Sequence, residues 1–523
     1  MSPAAIVDFF YQNSAVCLGA GAISLLVVWR IWKFSIIPFL YPNDPKEFPC
    51  WIPFLGHSVG FFVNSYKLLD QGSQYFGYTR EPYALTIAGQ SIYVLTHPDD
   101  VRDLYRATTT LSWDGFVIDI YRWIGISSSA MEVLWKRPTE EQKSKNPARN
   151  LPPNDMVVEY QRRQLRPGTH LDQMAKLFIE NIDRAVSWPN ISGNRQFVCS
   201  SSPDSVTVSL MDWTAHVFIN TVHKLYWGEK LMEFTPSVFD SFRKWEETNW
   251  KYVFQLPHFL SKDMHEAKNN LIDAFEAYFL QPKEERQNVA WFVSMAESET
   301  RDIGLSERDM AKMHMLQQWG INGNMHKVTF WMIAYLVHNP ELYQTIRTET
   351  AAGIIDNAPN ITFLTEKCPR LEAVFLEVLR LTIASSLMRY VNAPTVIGGK
   401  TLRRGRNVMA PYRQLHLNAD VWGHNAHDFD PERFLKNPSL AKHPSFRPFG
   451  GGHNLCPGRF LARQAIFAFV ALLISRFDVS LADVGAGPQP FPRHDESKPA
   501  IGTLAPRRED KVFLDISPRI KKA

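Results

Sequence analysis

The chain has 523 residues, of which 45% are apolar and 13% aromatic, so it can bury a large core. Its net charge of +4 is mild and its Lys and Arg residues are dispersed, which argues against nucleic acid as a partner. The five cysteines form no Cys-x-x-Cys pair, which argues against a zinc ribbon and fits a reducing, cytosol-facing compartment.

The N-terminal region predicts a membrane anchor. No charged side chain occurs from Phe9 to Trp29, and at about 1.5 Å per residue such a helix spans the bilayer's hydrocarbon layer of about 30 Å. Arg30 and Lys33 follow it, so the positive-inside rule places the rest of the chain in the cytosol. A cleaved signal peptide is the alternative, but its basic residues would precede the apolar stretch. We therefore expect residues 1–34 to form a single-pass anchor.

The chain after the anchor predicts a mainly α-helical domain with small peripheral β-sheets. Residues 35–56 are rich in proline and predict an extended hinge rather than a helix, and residues 57–523 are expected to form one folded domain. Helical periodicity dominates the middle of this domain. The predicted segments are strands at Ala84–Ile87 and Ser91–Leu95, a loop from Lys136 to Asp155, helices from Gln161 to about Thr348 with a further helix starting at Asn339-Pro340, and a tail with short strands from about Asp483 to Ile520.

One long helix is predicted around Met313 to Val337, and it carries the run Trp319-Gly-Ile-Asn-Gly-Asn-Met325. Gly320, Gly323 and Asn324 are spaced i, i+3 and i+4, so they would share one helix face. The missing side chains would let a flat ligand lie against the helix. A kink or close helix packing is the alternative interpretation.

A carboxylate and two arginines follow this helix in the chain. Glu377 and Arg380 are i, i+3 neighbours on a predicted helix, and by spacing alone an exposed, weakly stabilising pair is the simpler interpretation. Arg433 lies among aromatic residues in the segment from Asp428 to Phe434. Because guanidinium groups bind carboxylates in a bidentate manner, two of them could hold Glu377 in a buried position.

The run from Phe449 to Arg459 places Cys456 in a glycine-rich turn that precedes an apolar helical segment. Glycines allow positive φ and a close backbone approach to a flat cofactor, and N–H groups at a helix start stabilise a thiolate. A single thiolate presented in this way suits a haem iron. The alternative is a free cysteine in the core, since free cysteines are often buried.

These motifs resemble the cytochrome P450 superfamily. Phe449, Gly452, Cys456 and Gly458 fill its haem-binding signature Phe-x-x-Gly-x-x-x-Cys-x-Gly, and the Glu-x-x-Arg pair with a later arginine matches its structural triad. The resemblance implies the cytochrome P450 fold, a single catalytic domain and haem b with Cys456 as the axial and only protein ligand of the iron. It extends over essentially the whole chain.

The chain departs from the family pattern in the long helix. Most members carry an acid followed by threonine there and use them to deliver protons during oxygen activation, whereas Gly323 and Asn324 occupy those positions here. The run resembles the branch that contains prostacyclin synthase and bile-acid sterol hydroxylases, and a fungal biosynthetic member fits as well. Because an amide is a poor proton carrier, the route of oxygen activation stays open.

The resemblance also implies residues around the haem and the substrate. Arg389 matches a propionate-binding arginine, Asn454 stands where a basic residue is usual, and Arg162 or Arg163 would supply a second propionate partner. For the aromatic residues of the predicted substrate pocket, plain core packing is the alternative. The substrate-facing candidates are Phe116, Tyr121, Trp319, Ser385, Thr503 and Leu504, in a mostly apolar cavity.

The resemblance therefore implies a monomeric haem-thiolate monooxygenase of the endoplasmic reticulum membrane, with its catalytic domain in the cytosol. It would oxidise a bulky hydrophobic terpenoid, steroid or polyketide with O₂ and with electrons from a separate NADPH–cytochrome P450 reductase, and cytochrome b5 is a second candidate donor. No dinucleotide fingerprint occurs in the chain itself. A haem-thiolate isomerase or dehydratase acting on a peroxide without external electrons is one alternative. A non-catalytic haem or lipid carrier is the other.

Overall fold

The computed structural model describes residues 14–145, 150–483, 485 and 487–519, so the start of the predicted anchor at Phe9 lies outside the described residues. The chain divides into two compact units. The first contains Met1–Phe116, Ser386–Leu415 and Glu496–Pro499, and the second contains Val117–Ser385, His416–Asp495 and Ala500–Ala523. Helices dominate and the sheets are small, which confirms the mainly α-helical prediction.

The first unit is built on a mixed six-stranded sheet. Both strands predicted near its start are confirmed, because Tyr83–Ile87 and Gln90–Val94 form an antiparallel hairpin with Leu85 opposite Ile92. The strands follow the order Lys46–Glu47, Tyr83–Ile87, Gln90–Val94, Asn407–Pro411, Ser386–Val391 and Leu111–Ser112, and Thr395–Ile397 pairs separately with Lys400–Leu402. The helices that start in this unit are Ser14–Ile31, Ile37–Leu40, Ser58–Tyr75, Pro98–Arg106, Asp114–Ile124 and Tyr412–His416, with a π-helical turn at Trp32–Ile36.

The N-terminal helical segment is exposed and apolar. Leu18–Leu40 is long and apolar enough to cross a membrane, with a mean hydropathy of 1.7 and none of its most apolar window buried. The prediction of an extended, non-helical hinge is wrong at its start, because Ile37–Leu40 is a short helix with Pro38 in its first turn. Proline is tolerated in that turn because its missing N–H would have no partner within the helix anyway.

The second unit contains most of the helices and an antiparallel four-stranded sheet. The sheet follows the order Phe477–Leu481, Phe513–Pro518, Val206–Ser209 and Val198–Ser201, and Ile354–Ile355 pairs with Ala358–Pro359. The α-helices are Ser128–Leu134, Glu140–Lys145, Pro153–Leu165, Thr169–Ala185, Trp188–Ser192, Leu210–Trp227, Lys230–Phe234, Val238–Val253, Lys262–Phe279, Trp291–Asp302, Glu307–Asn322, Met325–Val337, Pro340–Thr350, Ile361–Glu366, Pro369–Thr382, Ala419–Trp422, Glu432–Lys436 and Arg459–Arg476. Short 3₁₀ turns occupy His258–Leu260, Lys283–Glu285, Ala351–Gly353, Pro438–Lys442 and Gly452–Asn454.

Two predictions about this unit are wrong. The segment from Lys136 to Asp155 is not all loop, because Glu140–Lys145 is helical and Pro153–Leu165 begins within it. The predicted helix from Met313 to Val337 is two helices, which end and begin around Gly323 and Asn324. The predicted helix start at Asn339-Pro340 is confirmed by the cap, since Leu342 N donates to Asn339 Oδ1 at 3.0 Å.

The helix Arg459–Arg476, which follows the cysteine turn, forms the centre of the core. The segment Gly452–Arg476 also has the length and hydropathy of a membrane span, but 61% of its most apolar window is buried within the protein, as in a core helix. Phe469 packs 5.2 Å from Trp213, and Phe467 packs edge-to-face 5.4 Å from Phe375. These aromatic contacts fix the cysteine helix between two other helices.

His223 and His314 are buried in this core, and neither forms an ion pair among the described residues. His223 is fully buried and His314 is 2% exposed. Trp227 Nε1 donates to His314 Nδ1 at 3.2 Å, while His223 contacts the side-chain amide of Gln318. Burial lowers the pKa of each histidine to about 3, so both rings stay neutral in the folded chain.

We predict that His314→Leu reduces the acid sensitivity of folding. The unfolded chain protonates this histidine near pH 6.5 and the folded chain does not, so each such residue lowers the free energy of unfolding by about 1.4 kcal/mol between pH 7.5 and pH 5.5. The measurement is chemical denaturation of the full chain in detergent at both pH values. Between them, the free energy of unfolding should fall correspondingly less in the variant than in the unchanged chain. His424→Leu, at an exposed position, is the control. An unchanged pH difference in His314→Leu would contradict the prediction.

Candidate haem-thiolate site

The carboxylate of Glu377 is held by two arginines in the interior of the second unit. Arg380 donates from Nη2 to Oε1 at 2.7 Å and from Nε to Oε2 at 2.8 Å, and Arg433 donates from Nε to Oε1 at 3.0 Å. The backbone N–H of Asp430 adds a bond of 2.9 Å to Oε1. Glu377 and Arg380 are fully buried and Arg433 is 9% exposed. The expected triad is therefore formed, and the interpretation as an exposed surface pair is wrong.

The remaining N–H groups of the two arginines bind backbone carbonyl groups. Arg380 donates from Nη1 to His416 O at 2.9 Å and to Ala426 O at 2.5 Å. Arg433 donates from Nη1 to Trp422 O at 2.7 Å, and the Arg380 guanidinium lies 5.2 Å from the Trp422 ring. The triad thus fixes the chain that leads towards the cysteine turn, because its donors are shared between side chain and backbone.

The cysteine turn is closed by its own backbone. Cys456 N donates to Phe449 O at 2.9 Å, and between these residues Gly450 and Gly452 adopt φ of +75° and +56°. Side chains other than glycine rarely adopt these values, so the glycines of the motif are required by the turn itself. Gly452–Asn454 forms a short 3₁₀ turn.

The environment of Cys456 is polar on its backbone side. Burial raises the pKa of the Cys456 thiol, while the N–H of Gly458, the charge of Arg459 and the Arg459 N–H lower it. A Cβ at Gly458 would lie 3.8 Å from Cys456 Sγ, which shows how closely this backbone passes the sulfur. Arg459 Nη1 also donates to Cys456 O at 2.8 Å. Cys456 is half-buried as a residue, and these donors oppose the effect of burial on its sulfur.

The break between the helices Glu307–Asn322 and Met325–Val337 has a physical cause at Asn324. Its φ of −128° leaves the helical region, and its Oδ1 accepts hydrogen bonds from Thr503 N at 2.9 Å and Thr503 Oγ1 at 3.0 Å. Its backbone oxygen accepts from the N–H groups of the next helix at Lys327 and Val328. Asn324 therefore caps the second helix with its backbone and binds the C-terminal tail with its side chain.

Gly320 provides a bare surface one turn before this break. It is exposed, and a Cβ at this position would meet no protein atom within 4 Å. At Gly323, by contrast, a Cβ would lie 3.2 Å from Trp319 O. Only Gly320 therefore leaves room for a flat group to approach the helix backbone.

The residues present fit a haem. The half-buried residue Cys456 supplies a soft ligand with backbone N–H donors beside it, and Gly320 leaves an open patch of helix. Arg162 donates from Nη2 to His453 O at 2.6 Å, which places a cation beside the cysteine turn. Arg163 instead pairs with Glu159 at 3.1 Å. Phe449 and Asn454 are both half-buried in this turn.

Two predicted site residues belong to the first unit. Arg389 is 3% exposed on the strand Ser386–Val391, with its guanidinium 5.2 Å from the Trp113 ring. Burial lowers the pKa of Arg389, and the charges of Tyr105, Tyr412 and Asp114 oppose this effect. Phe116 is half-buried, 5.2 Å from the same Trp113 ring.

The other predicted substrate residues lie in the second unit. Tyr121 lies on the helix Asp114–Ile124, and its hydroxyl donates to Asn154 Oδ1 at 3.1 Å. Trp319 packs edge-to-face 5.4 Å from Trp245, and Ser385 is half-buried. Thr503 is buried with its hydroxyl on Asn324, and Leu504 is buried with its backbone oxygen bound by Trp331 Nε1 at 2.7 Å.

Sequence reasoning missed two contacts of the site. The pairing of Asn324 with Thr503 joins residues 179 positions apart, and neither residue carries a local pattern that predicts the other. The bond from Arg459 to the backbone oxygen of Cys456 closes the turn from its C-terminal side. This bond could have been predicted from the sequence, because a long cationic side chain three residues after the cysteine can reach the carbonyl group of that cysteine.

Comparisons with known proteins agree with this geometry. The cytochrome P450 family model matches residues 199–504 of the chain. A cytochrome P450 monooxygenase of Penicillium oxalicum, poxD, is 24% identical over 475 residues, covering 88% of this chain and 92% of the relative. Prostacyclin synthase of Bos taurus is 29% identical over 240 residues, covering 42% of this chain and 47% of that protein. A solved structure, retinoic acid bound cyanobacterial CYP120A1, matches with a TM-score of 0.66 and 18% identity, covers 91% of this chain and 99% of that one, and shows the shared fold alone.

The chain belongs to the cytochrome P450 family, and it is a monooxygenase enzyme. The family and the fold together imply a haem whose iron is bound by a cysteine thiolate. When bound, the haem supplies the redox chemistry of oxygen activation, and the thiolate favours O–O cleavage by its electron donation. The protein's own contribution is the closed turn, the donors to sulfur and the bare helix surface at Gly320.

We predict that Glu377→Gln strongly destabilises the fold, because it leaves two buried guanidinium groups without their carboxylate. The expected loss in the free energy of unfolding is about 3–5 kcal/mol, measured by chemical denaturation, with weakened haem retention. Glu432→Gln is the matched control, because Glu432 pairs with Arg370 at 3.0 Å on the surface and should contribute less than about 1 kcal/mol. Equal losses in the two variants would show that burial does not set the strength of the triad.

Proposed function

We propose that this monooxygenase inserts oxygen into a bulky hydrophobic substrate, using O₂ and electrons from a separate NADPH-dependent reductase. The observation that carries the proposal is Cys456, a half-buried residue in a closed turn with backbone N–H donors close to its sulfur. In this proposal Cys456 is the axial ligand, and Gly320, Gly323 and Asn324 form the oxygen-binding side. Phe449, Gly452 and Gly458 shape the turn.

The propionates of the haem need cations, and the proposal assigns these residue by residue. Arg389 takes one propionate, because it matches the family's propionate-binding arginine and its cationic side chain is buried. Arg162 takes the other beside the cysteine turn, with Asn454 as a neutral hydrogen-bonding neighbour.

The substrate class is inferred from the relatives and from the apolar residues of the site. Relatives include a 7-alpha-hydroxycholest-4-en-3-one 12-alpha-hydroxylase of Homo sapiens, 26% identical over 242 residues. The fungal relatives are named monooxygenases of Penicillium and Hypoxylon species. We assign a terpenoid, steroid or polyketide as substrate, contacted by aromatic, aliphatic and small polar side chains. These are Phe116, Tyr121, Trp319, Ser385, Thr503 and Leu504.

The organisation of the chain completes the proposal. Residues 1–34 anchor the protein by one pass in the endoplasmic reticulum membrane, residues 35–56 connect the anchor, and residues 57–523 form a monomeric catalytic domain in the cytosol. The apolar segment Leu18–Leu40 and the basic residues Arg30 and Lys33 support this arrangement. NADPH–cytochrome P450 reductase would donate the electrons and cytochrome b5 would assist it.

A second function is favoured by Asn324. Its Oδ1 is engaged by Thr503, so only the amide N–H groups remain to act on a ligand, and these cannot carry a proton through. An isomerase or dehydratase that rearranges a peroxide needs neither external electrons nor a proton relay. Prostacyclin synthase, among the relatives, shows that this part of the family includes a protein named as a synthase.

The electron requirement separates the two functions. We predict that the purified full chain converts a sterol or retinoid probe, 7α-hydroxycholest-4-en-3-one or retinoic acid, only with NADPH, reductase and O₂, and that omission of any one lowers product at least about tenfold. Product is measured by mass spectrometry, with incorporation of one ¹⁸O atom from ¹⁸O₂. Boiled reductase is the control. Conversion of a fatty-acid hydroperoxide without NADPH, together with no ¹⁸O incorporation, would support the second function and overturn the first.

A further inference from the structure

A buried carboxylate and a buried imidazole meet directly after the helix break. Glu246, on the helix Val238–Val253, lies with its Oε2 3.2 Å from His326 Nε2. His326 is fully buried and stands two residues after Asn324, in the first turn of Met325–Val337. Both helices are separate in the chain from the triad and from the cysteine turn, so the pair belongs to neither of these clusters.

Two cations hold the carboxylate in its ionised form. Lys327 Nζ lies 2.8 Å from Glu246 Oε1, and Arg243 donates from Nη1 to Oε2 at 3.1 Å. Burial alone would raise the pKa of Glu246, but His326, Lys327 and Arg243 together bring it below its usual range. Arg243 is also 3.7 Å from Asp212, and these are the charged groups that face the pair from the described helices around it.

The imidazole is neutral and incompletely satisfied. Burial lowers the pKa of His326, although Glu246 opposes the effect, so the ring is uncharged near neutral pH. Of its two nitrogens, Nε2 faces Glu246 without a well-aligned hydrogen bond, and Nδ1 has no partner among the described residues. A buried ring nitrogen without a partner is costly, and a water that can enter is the simplest group to satisfy it.

A second unsatisfied side chain lies on the other side of the break. Asn322 is 2% exposed, and neither its Oδ1 nor its Nδ2 has a partner in the part of the chain that the structure describes. It ends the helix Glu307–Asn322, so Asn322 and His326 flank Gly323 and Asn324. Polar groups without a partner among the described residues therefore lie on both sides of the break, and ordered water is the simplest group that would satisfy them.

We propose that His326, held by Glu246, is the proton-relay residue of this enzyme and works through water at the break between Asn322 and Asn324. The proposal rests on the monooxygenase function. Oxygen insertion consumes O₂, two electrons and two protons; one oxygen atom enters the substrate and the other leaves as water. The electrons come from NADPH through the reductase, and the protons come from solvent. His326 takes a proton at one ring nitrogen and releases one from the other, while the Glu246 carboxylate stabilises the imidazolium between these events.

The relay explains how the chain works without an acid–threonine pair. Asn324 cannot exchange its amide protons on the time scale of turnover, and its Oδ1 is occupied by Thr503. An imidazole beside a carboxylate exchanges protons readily at neutral pH. Lys327, whose side chain is 14% exposed, brings this cluster close to solvent. In this proposal the residue that supplies protons is His326, two residues after Asn324 on the helix Met325–Val337.

The test compares His326→Gln with His314→Gln in the purified holoenzyme with a separate NADPH reductase and no organic substrate. Without substrate, electrons from NADPH leave either as hydrogen peroxide, which takes two protons per O₂, or as water, which takes four. We expect His326→Gln to raise the share of electrons recovered as peroxide about threefold, because protonation needed for O–O cleavage is slowed. We also expect the solvent isotope effect, which is the rate of NADPH consumption in H₂O divided by that in D₂O, to differ from that of the unchanged enzyme. His314→Gln, equally buried but ten residues before Asn324, should leave both quantities unchanged.

A structural measurement tests the relay without turnover. A crystal structure of the unchanged chain, at a resolution that shows ordered water, should contain a water within hydrogen-bonding distance of a ring nitrogen of His326 and another at Asn322. A dry, protein-bonded ring would overturn the proposal. So would an unchanged peroxide share and isotope ratio in His326→Gln, while the unchanged enzyme still oxidises NADPH. If the unchanged enzyme turns over a peroxide substrate and never uses NADPH, the monooxygenase proposal fails first and the relay with it.

Discussion

The second unit depends on one buried carboxylate. Glu377 accepts hydrogen bonds from Arg380 and Arg433 in the protein interior, where an unpaired charge is strongly destabilising. The three side chains must therefore be buried together. Both arginines then use their remaining donors on backbone carbonyl groups of His416, Trp422 and Ala426, which fixes the segment that leads into the cysteine turn. This buried charge cluster therefore fixes backbone segments that precede the cysteine turn in the chain.

The break at Asn324 determines the local structure between the helices Glu307–Asn322 and Met325–Val337. A continuous helix would satisfy its own backbone groups, whereas here Asn324 gives its side-chain oxygen to Thr503 and its backbone oxygen to the next turn. The C-terminal tail thus stabilises the break through the hydrogen bonds of Thr503 with Asn324. Gly320 is bare on one side of the break, and the Glu246–His326 pair lies beyond it on the other. The binding surface and the proposed proton supply are therefore two consequences of one local departure from helical geometry.

The sequence was most informative where a function needs residues that are close in the chain. The glycines around Cys456 and the two strands of the first sheet follow from backbone geometry over a few residues, whereas the buried triad was expected from the family resemblance, because spacing alone favoured an exposed pair. A kink near Gly323 was only an alternative interpretation, and the contact that accompanies it and the short helix at Ile37–Leu40 were not predictable in this way. The break depends on Thr503, far away in the chain, and the short helix has proline where the helix tolerates it. The sequence does not single out His326, because its partner Glu246 lies on a separate helix.

The central claim is that Cys456 binds haem iron as a thiolate. The most direct measurement is the difference spectrum of the reduced protein with and without carbon monoxide, which reports the electron donation of the axial ligand. The account predicts the red-shifted Soret band typical of a thiolate ligand in the unchanged chain, and its loss in Cys456→Ala with the helical content retained. The absence of that band from haem-loaded protein, or its persistence in Cys456→Ala, would contradict the account.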